Sequence, residues 1–251
     1  FRSFRQIESG WYAADKIDRS KTRLNRTQFF SDVNIETPAV PGSTDQVDLK
    51  VKVTERNTGS IMFGAGFSSA EGVVGSFNVT QANFLGTGDR VSAQINTGSV
   101  NKTYSLSVTK PFYTPEGISL GYDIYRRDVN TSSLNLVTYN TSSYGAGLRF
   151  GVPLSEKNAI NYGLTLDTTE VSNLKRGVSP DRYVDYCSKV SGNTDAGACT
   201  VNSAIASLGW SIDSRDDILF PKKGELRRVN GEVTLPGLDM QMYKVTLQET
   251  W

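Results

Sequence analysis

Histidine is absent from the 251 residues, which removes His-based triads, His general bases and His metal ligands from this segment. Long apolar runs are missing too. Apolar residues make up 37% of the chain, mean hydropathy is -0.35, and no run reaches the ~20 residues of a spanning helix. Neither sign of charge dominates: the net charge is +1, so neither a nucleic-acid footprint nor a strongly acidic surface follows. Cysteine is nearly absent. The pair present, Cys187 and Cys199, lies in a polar, turn-rich stretch, where a loop-stapling disulfide is expected rather than a metal pair. A disulfide implies an oxidising compartment, and two free thiols are the alternative. Gly86-Thr87-Gly88 is not a nucleotide loop, because the Lys and Ser/Thr that should follow are missing. With no nucleophile-base pair, phosphate loop or metal cluster in view, an enzyme has little support and no cofactor is implied. The first residue is Phe1, with no Met and no signal peptide, so the sequence reads as a fragment or processed product.

What is present is alternation. Ile61, Phe63, Ala65 and Phe67 fall on one face of an extended segment, with Met62, Gly64, Gly66 and Ser68 on the other. Tyr104, Leu106 and Val108 alternate with Ser105, Ser107 and Thr109. Ile118, Leu120, Tyr122 and Ile124, then Tyr144, Ala146, Leu148 and Phe150, then Ile160, Tyr162, Leu164 and Leu166 repeat the pattern. A soluble sandwich would bury these faces against a second sheet, but here the other face is rich in Ser, Thr, Asn and Gly. Apolar toward lipid and polar toward a lumen is the pattern of a transmembrane β-barrel. Such a barrel hides its hydrophobicity in every second residue. The eleven Tyr and eleven Phe often sit near strand ends, as interfacial girdles require.

Residues 1–58 read differently, as a small α+β module. A helix is predicted over Asp15 to Phe30, with Ile17, Leu24 and Phe29 or Phe30 on one face, and a shorter one over Phe1 to Ser9. Two strands follow, at Val33 to Glu36 and Val47 to Thr54, separated by Pro41-Gly42-Ser43. From Gly59 to Trp251 about ten strand-sized segments fit the ~9–11 residues of a tilted membrane strand. Compact turns at Asn83 to Asp89, Lys110 to Gly117, Pro153 to Asn158 and Ser214 to Gly224 would face the periplasm. The alternate set ends in long loops, Arg127 to Ser143 and Thr168 to Asn202, and would face the exterior together with both cysteines.

Two compact turns carry a family resemblance. One is Asn83, Phe84, Leu85, Gly86, Thr87 and Gly88. The other runs from Asp213 through Arg215, Asp216, Phe220 and Pro221 to Gly224. Together they resemble the outer-membrane assembly superfamily typified by BamA, in which POTRA domains precede a barrel. Leu24-Asn25-Arg26, Phe29-Phe30, Pro41-Gly42-Ser43 and Glu55-Arg56-Asn57-Thr58-Gly59-Ser60 look like its last POTRA domain and the junction to the barrel. The family's late Arg-Gly-aromatic motif is not in this segment, and its roughly sixteen strands exceed those counted here.

The resemblance implies a non-enzymatic function: folding and inserting other β-barrel proteins into the bacterial outer membrane. It implies a lateral gate at the first barrel strand, where an incoming strand is templated. The matching residues are Ser60, Ile61, Met62, Phe63, Gly64, Ala65, Gly66 and Phe67. An unpaired edge offers backbone donors and acceptors without demanding a particular side chain. Gly64 and Gly66 either ease bending and opening or merely fit a crowded lumen, since strand glycine has both meanings. Implied partners are unfolded outer-membrane barrel substrates, accessory lipoproteins and the bilayer, with no nucleic acid. The family's lipoprotein-contacting acid aligns with Ser3, with Glu8 a turn further on. The rivals are a two-partner-secretion or translocation-assembly transporter of the same superfamily, and a passive porin-like barrel.

Overall fold

The computed structural model describes residues 4–27, 29–69, 71–131, 139–192, 197–215 and 222–250. The first helix, α1 (Ala14–Thr27), buries Ile17, Ser20 and Leu24 at helical spacing and leaves Lys16, Arg19 and Lys21 in solvent. It packs on β1 (Phe30–Glu36), whose Val33 is buried, and β1 pairs antiparallel with β2 (Lys50–Glu55).

Two expectations for this module change. The helix ends at Thr27, short of Phe30, because the Thr27 hydroxyl donates to the Leu24 carbonyl at 2.7 Å and accepts from the Phe29 amide at 3.3 Å. The shorter helix over Phe1 to Ser9 does not form in its described part. There the Gln6 side chain donates to the carbonyls of Ile7, Gly10 and Trp11 and accepts from the Ala13 amide, while Ser9 takes a left-handed φ of 58°. Phe1 and Ser3 lie outside the described residues, and Glu8 stands exposed in a turn.

Beyond the module the chain folds into one open, ten-stranded antiparallel meander. Its strands are β3 (Gly59–Ser68), β4 (Gly72–Gln81), β5 (Arg90–Thr97), β6 (Asn101–Lys110), β7 (Ser119–Asn130), β8 (Asn140–Pro153), β9 (Asn158–Ser172), β10 (Cys199–Asp213), β11 (Leu226–Thr234) and β12 (Tyr243–Thr250). Each pairs with its neighbours in sequence, and β3 and β12 are not paired to each other, so this part of the barrel stays open.

Register aligns the apolar residues into one continuous face. Phe63 sits opposite Phe77, Leu106 opposite Ile124, Tyr122 opposite Leu148, Leu148 opposite Leu164, and Val229 opposite Leu247. This face is bare: Phe63 is 79% exposed, Phe67 81% and Leu247 74%. Water would oppose such a surface, whereas a bilayer matches it. Glu249, the one acid interrupting this face of β12, meets Arg227 at 2.8 Å from the register position opposite.

The other face is polar and cross-braced. Arg149 on β8 donates to Asp123 on β7 and, at 3.1 Å, to Ser107 on β6. The Tyr125 hydroxyl reaches across β8 to Asp167 on β9, and only glycine at 145 allows it, since a Cβ there would lie 2.7 Å from that hydroxyl oxygen.

One rim carries compact turns. At the opposite rim, where the sequence predicts only a long loop, a helix, α2 (Asp181–Ser191), stands between β9 and β10. It starts with Asp181 in its first turn and stops at Gly192, whose φ of 69° is the left-handed C-terminal conformation. Val184 and Cys187 are buried against Val171, Leu174 and Val201. The cysteine stretch is therefore partly a packed helix rather than a polar surface loop.

Candidate functional site

Strand β3 ends the sheet. Ser60, Ile61, Met62, Phe63, Gly64, Ala65, Gly66 and Phe67 pair on one side only, from Ser60 opposite Thr80 to Phe67 opposite Val73. Among the described residues, no strand lies along the other edge. Ile61, Phe63 and Phe67 are exposed on the apolar face, and the Phe63 and Phe77 rings lie 5.0 Å apart. On the polar face a Cβ at Gly64 would come within 2.4 Å of the Ser76 hydroxyl, and one at Gly66 within 3.4 Å of Val74. The space beside both glycines is taken by side chains of β4, so a larger residue at 64 would displace Ser76.

The β4–β5 turn shows why its motif has these residues. The Asn83 side-chain oxygen accepts from the Gly88 amide at 2.7 Å, and the Thr87 hydroxyl donates to the Phe84 carbonyl at 2.7 Å. Gly86 and Gly88 hold φ of 76° and 82°, and Leu85 itself is left-handed at 51°. Phe84 and Leu85 are exposed at the rim, as interfacial anchors would be.

In the other family turn, Arg215 grips Asp213 through its backbone amide and two guanidinium contacts of 2.9 and 2.7 Å. Gly224 (φ 95°) abuts Ser214, where a Cβ would sit 2.3 Å from the carbonyl oxygen. Asp216, Phe220 and Pro221 lie outside the described residues. At the opposite rim Cys187 and Cys199 are joined, with Cα atoms 5.3 Å apart.

The compact rim also meets the small module. Glu156, in the β8–β9 turn, accepts from Arg5 at 2.9 Å and from Arg23 of α1 at 2.8 Å. Ser20 makes this convergence possible: its buried hydroxyl accepts from the Arg5 amide at 2.8 Å and donates to the Lys16 carbonyl, tying the first segment to α1. A second touch lies at the β4–β5 turn, where a Cβ on Gly88 would meet the Phe29 ring at 4.0 Å.

Burial pushes the Glu156 carboxyl up, but the two arginines outweigh it and hold it below the usual glutamate value. The bridge therefore contributes fully above the unfolded value of about 4.3 and is lost as pH falls through the folded one. Spin labels placed on α1 and the β8–β9 turn should report one distance at neutral pH and a broadened one in acid. Glu156→Gln should be broad at both; identical profiles for parent and variant would refute the coupling.

A family model described as the Omp85 superfamily domain matches residues 83–251, and a POTRA model, described as surface antigen variable number repeat, matches residues 2–56. This chain belongs to the Omp85 superfamily.

Relatives of this Omp85 chain include the outer membrane protein assembly factor BamA of Neisseria meningitidis serogroup B, 35% identical over 100% of this chain and 32% of that protein. BamA of Nitratidesulfovibrio vulgaris is 31% identical over 92% of this chain and 27% of its own length. The chain thus spans about a third of these relatives. Among solved structures, BamA from Haemophilus ducreyi lacking POTRA domains 1–3 matches with a TM-score of 0.74 and 32% identity, covering 97% of this chain and 46% of that one. CdiB from Acinetobacter baumannii matches with a TM-score of 0.57 and 11% identity, covering 98% and 45%, a likeness of fold alone.

Sequence reasoning missed Glu156, Ser20 and α2 in this Omp85 chain. Asp181 and Gly192 at the ends of α2, with Val184 and Cys187 three apart between them, were the available signal. For Glu156 the sequence held none, because its partners lie 151 and 133 residues away.

Proposed function

We propose that this chain is the membrane-proximal part of an outer-membrane protein assembly factor, with residues 1–58 as its last periplasmic POTRA domain and 59–251 as the first part of its barrel. In this reading β3 forms a lateral gate that templates the strands of incoming β-barrel proteins. The observation that carries it is the place of β3 in the chain: it is the first strand after the small module, paired with β4 from Ser60 to Phe67 and exposing Ile61, Phe63 and Phe67 on its apolar face. Strand addition to its edge gains main-chain hydrogen bonds and tolerates many sequences, as a catalyst of general barrel folding requires. Release needs no chemical step, so the work is non-enzymatic and uses no cofactor. Its partners are unfolded barrel substrates, accessory outer-membrane lipoproteins and the bilayer itself, and not nucleic acid.

The test is a liposome folding assay on the full-length protein carrying Phe63→Cys, with an unfolded outer-membrane substrate. Faster substrate folding with crosslinks from position 63 to a substrate strand is the expected result. Stable membrane integration and ion conductance, with neither acceleration nor crosslinks, would replace this reading with a secretion transporter or passive pore.

A further inference from the structure

The β3–β4 hairpin is longer than the wall that supports it. Pairing between β4 and β5 stops at Gly75 opposite Thr97, whereas β3 and β4 stay paired to Ser68 opposite Gly72. Residues 72–74 therefore have β3 on one side and, among the described residues, no strand on the other. A two-stranded ribbon of this kind is marginally stable.

Glu71, at the tip, folds back onto the β5–β6 turn. Its carbonyl accepts from the Ser99 hydroxyl at 2.8 Å and from the Ser99 amide at 3.4 Å, and its carboxylate accepts from the Asn101 side-chain nitrogen at 3.0 Å. Gly98 provides the seat. A Cβ there would lie 2.3 Å from a Glu71 carboxylate oxygen and 3.3 Å from a Val74 methyl. The turn receiving these bonds is itself anchored, because Val100 is buried and its carbonyl accepts from the Asn130 amide of β7 at 2.7 Å. The tip is thus tied through a fixed turn to a strand four places along the sheet from β3.

We propose that Glu71 is a positioning residue of the gate: it tethers the far end of the β3–β4 hairpin so that the β3 edge stays extended over its whole length. This rests on the gate reading above. A templating edge must hold successive donors and acceptors at strand spacing, and a fraying tip would shorten the template from the Phe67 end while leaving the Ile61 end intact. The tether therefore predicts a position-dependent loss, which a general loss of stability would not produce.

The experiment uses the full-length protein in liposomes, with a crosslinking cysteine placed either by Ile61→Cys or by Phe67→Cys. Each is compared with and without the combined changes Glu71→Ala and Ser99→Ala. Expected is a fall in substrate crosslinks at position 67 of roughly three- to tenfold, the factor for losing one or two net hydrogen bonds, with position 61 unchanged. Hydrogen exchange at the amides of residues 72–74 should accelerate by a similar factor. Glu71→Gln, which keeps the side-chain acceptor, should behave as the parent. Equal loss at both positions, or no loss at 67, overturns the tether while leaving the gate standing. No crosslink at either position in the parent overturns the gate reading and the tether with it.

Discussion

Proline at Gly64 or Ala65 is expected to slow substrate folding roughly ten- to a hundredfold, the equivalent of the ~1–3 kcal/mol for a backbone group left without its partner. In an antiparallel sheet successive residues direct their N–H groups alternately to the two neighbouring strands. Gly64 and Ala65 are consecutive on β3, opposite Ser76 and Gly75. One of the two prolines therefore removes a bond to β4, and the other removes a donor from the free edge while sparing the hairpin. Both should impair assembly, yet only one should accelerate exchange of the β4 amides. Val178→Ala, an exposed side chain in the β9–β10 loop, serves as the comparison and should fold substrate at the parental rate. If all three variants matched the parent, β3 could not be a template.

The alternation that announced β3 is also why the large sheet was legible. In a barrel wall each strand faces two solvents, so its side chains obey a strictly local rule of period two. Tyr104, Leu106 and Val108 could be placed outward before any partner strand was known, and register then aligned Leu106 with Ile124. The β4–β5 turn was legible for a similar reason, since Asn83 bonds Gly88 while Thr87 bonds Phe84 and Asp89, all within seven residues. Where competing local bonds decide, the reading slipped. Phe4 and Ile7 have helical spacing, but the Gln6 amide takes the surrounding carbonyls for itself. Helix α2 was hidden because its buried face is short and one of its apolar members is a cysteine, which was read for redox chemistry before packing. Contacts between distant segments, such as Arg5 and Arg23 on Glu156, leave no trace in a single sequence. Exposed charges are expected in any helix or turn, and only the fold says which of them meet.

These two sources of order, local rule and long-range contact, act against each other at the opposite rim, and the disulfide decides between them. Helix α2 has eleven residues, fewer than the ~12–15 an isolated helix needs to persist in water. Its buried apolar face is small, chiefly Val184 and Cys187. The Cys187–Cys199 bridge closes a separation of twelve residues, which on a chain-entropy basis is worth about 2–3 kcal/mol. That exceeds what the few apolar contacts leave after helix ordering, so α2 is expected to unfold locally when both cysteines become serine. The loss should spread one step further. The Tyr186 hydroxyl donates to the Asp239 carbonyl at 2.6 Å, and Asp239 accepts from the Asn202 amide at 2.8 Å, so α2, β10 and the β11–β12 loop form one unit. Burial, with the charge of Asp239 nearby, raises the Tyr186 phenol above its usual value. The packed state is therefore favoured at neutral pH and weakens as pH climbs past the ordinary phenol range near 10. In the full-length protein, Cys187→Ser with Cys199→Ser should expose residues 181–192 to protease and return Tyr186 to ordinary titration, together with Tyr139, which burial and Tyr183 of α2 also raise. Exchange in β3 to β6, on the far side of the sheet, should stay as in the parent. Undiminished protection of α2 in that variant would mean that the apolar contacts alone hold it. Two free thiols by intact mass, in protein never exposed to reductant, would remove the bridge from the account.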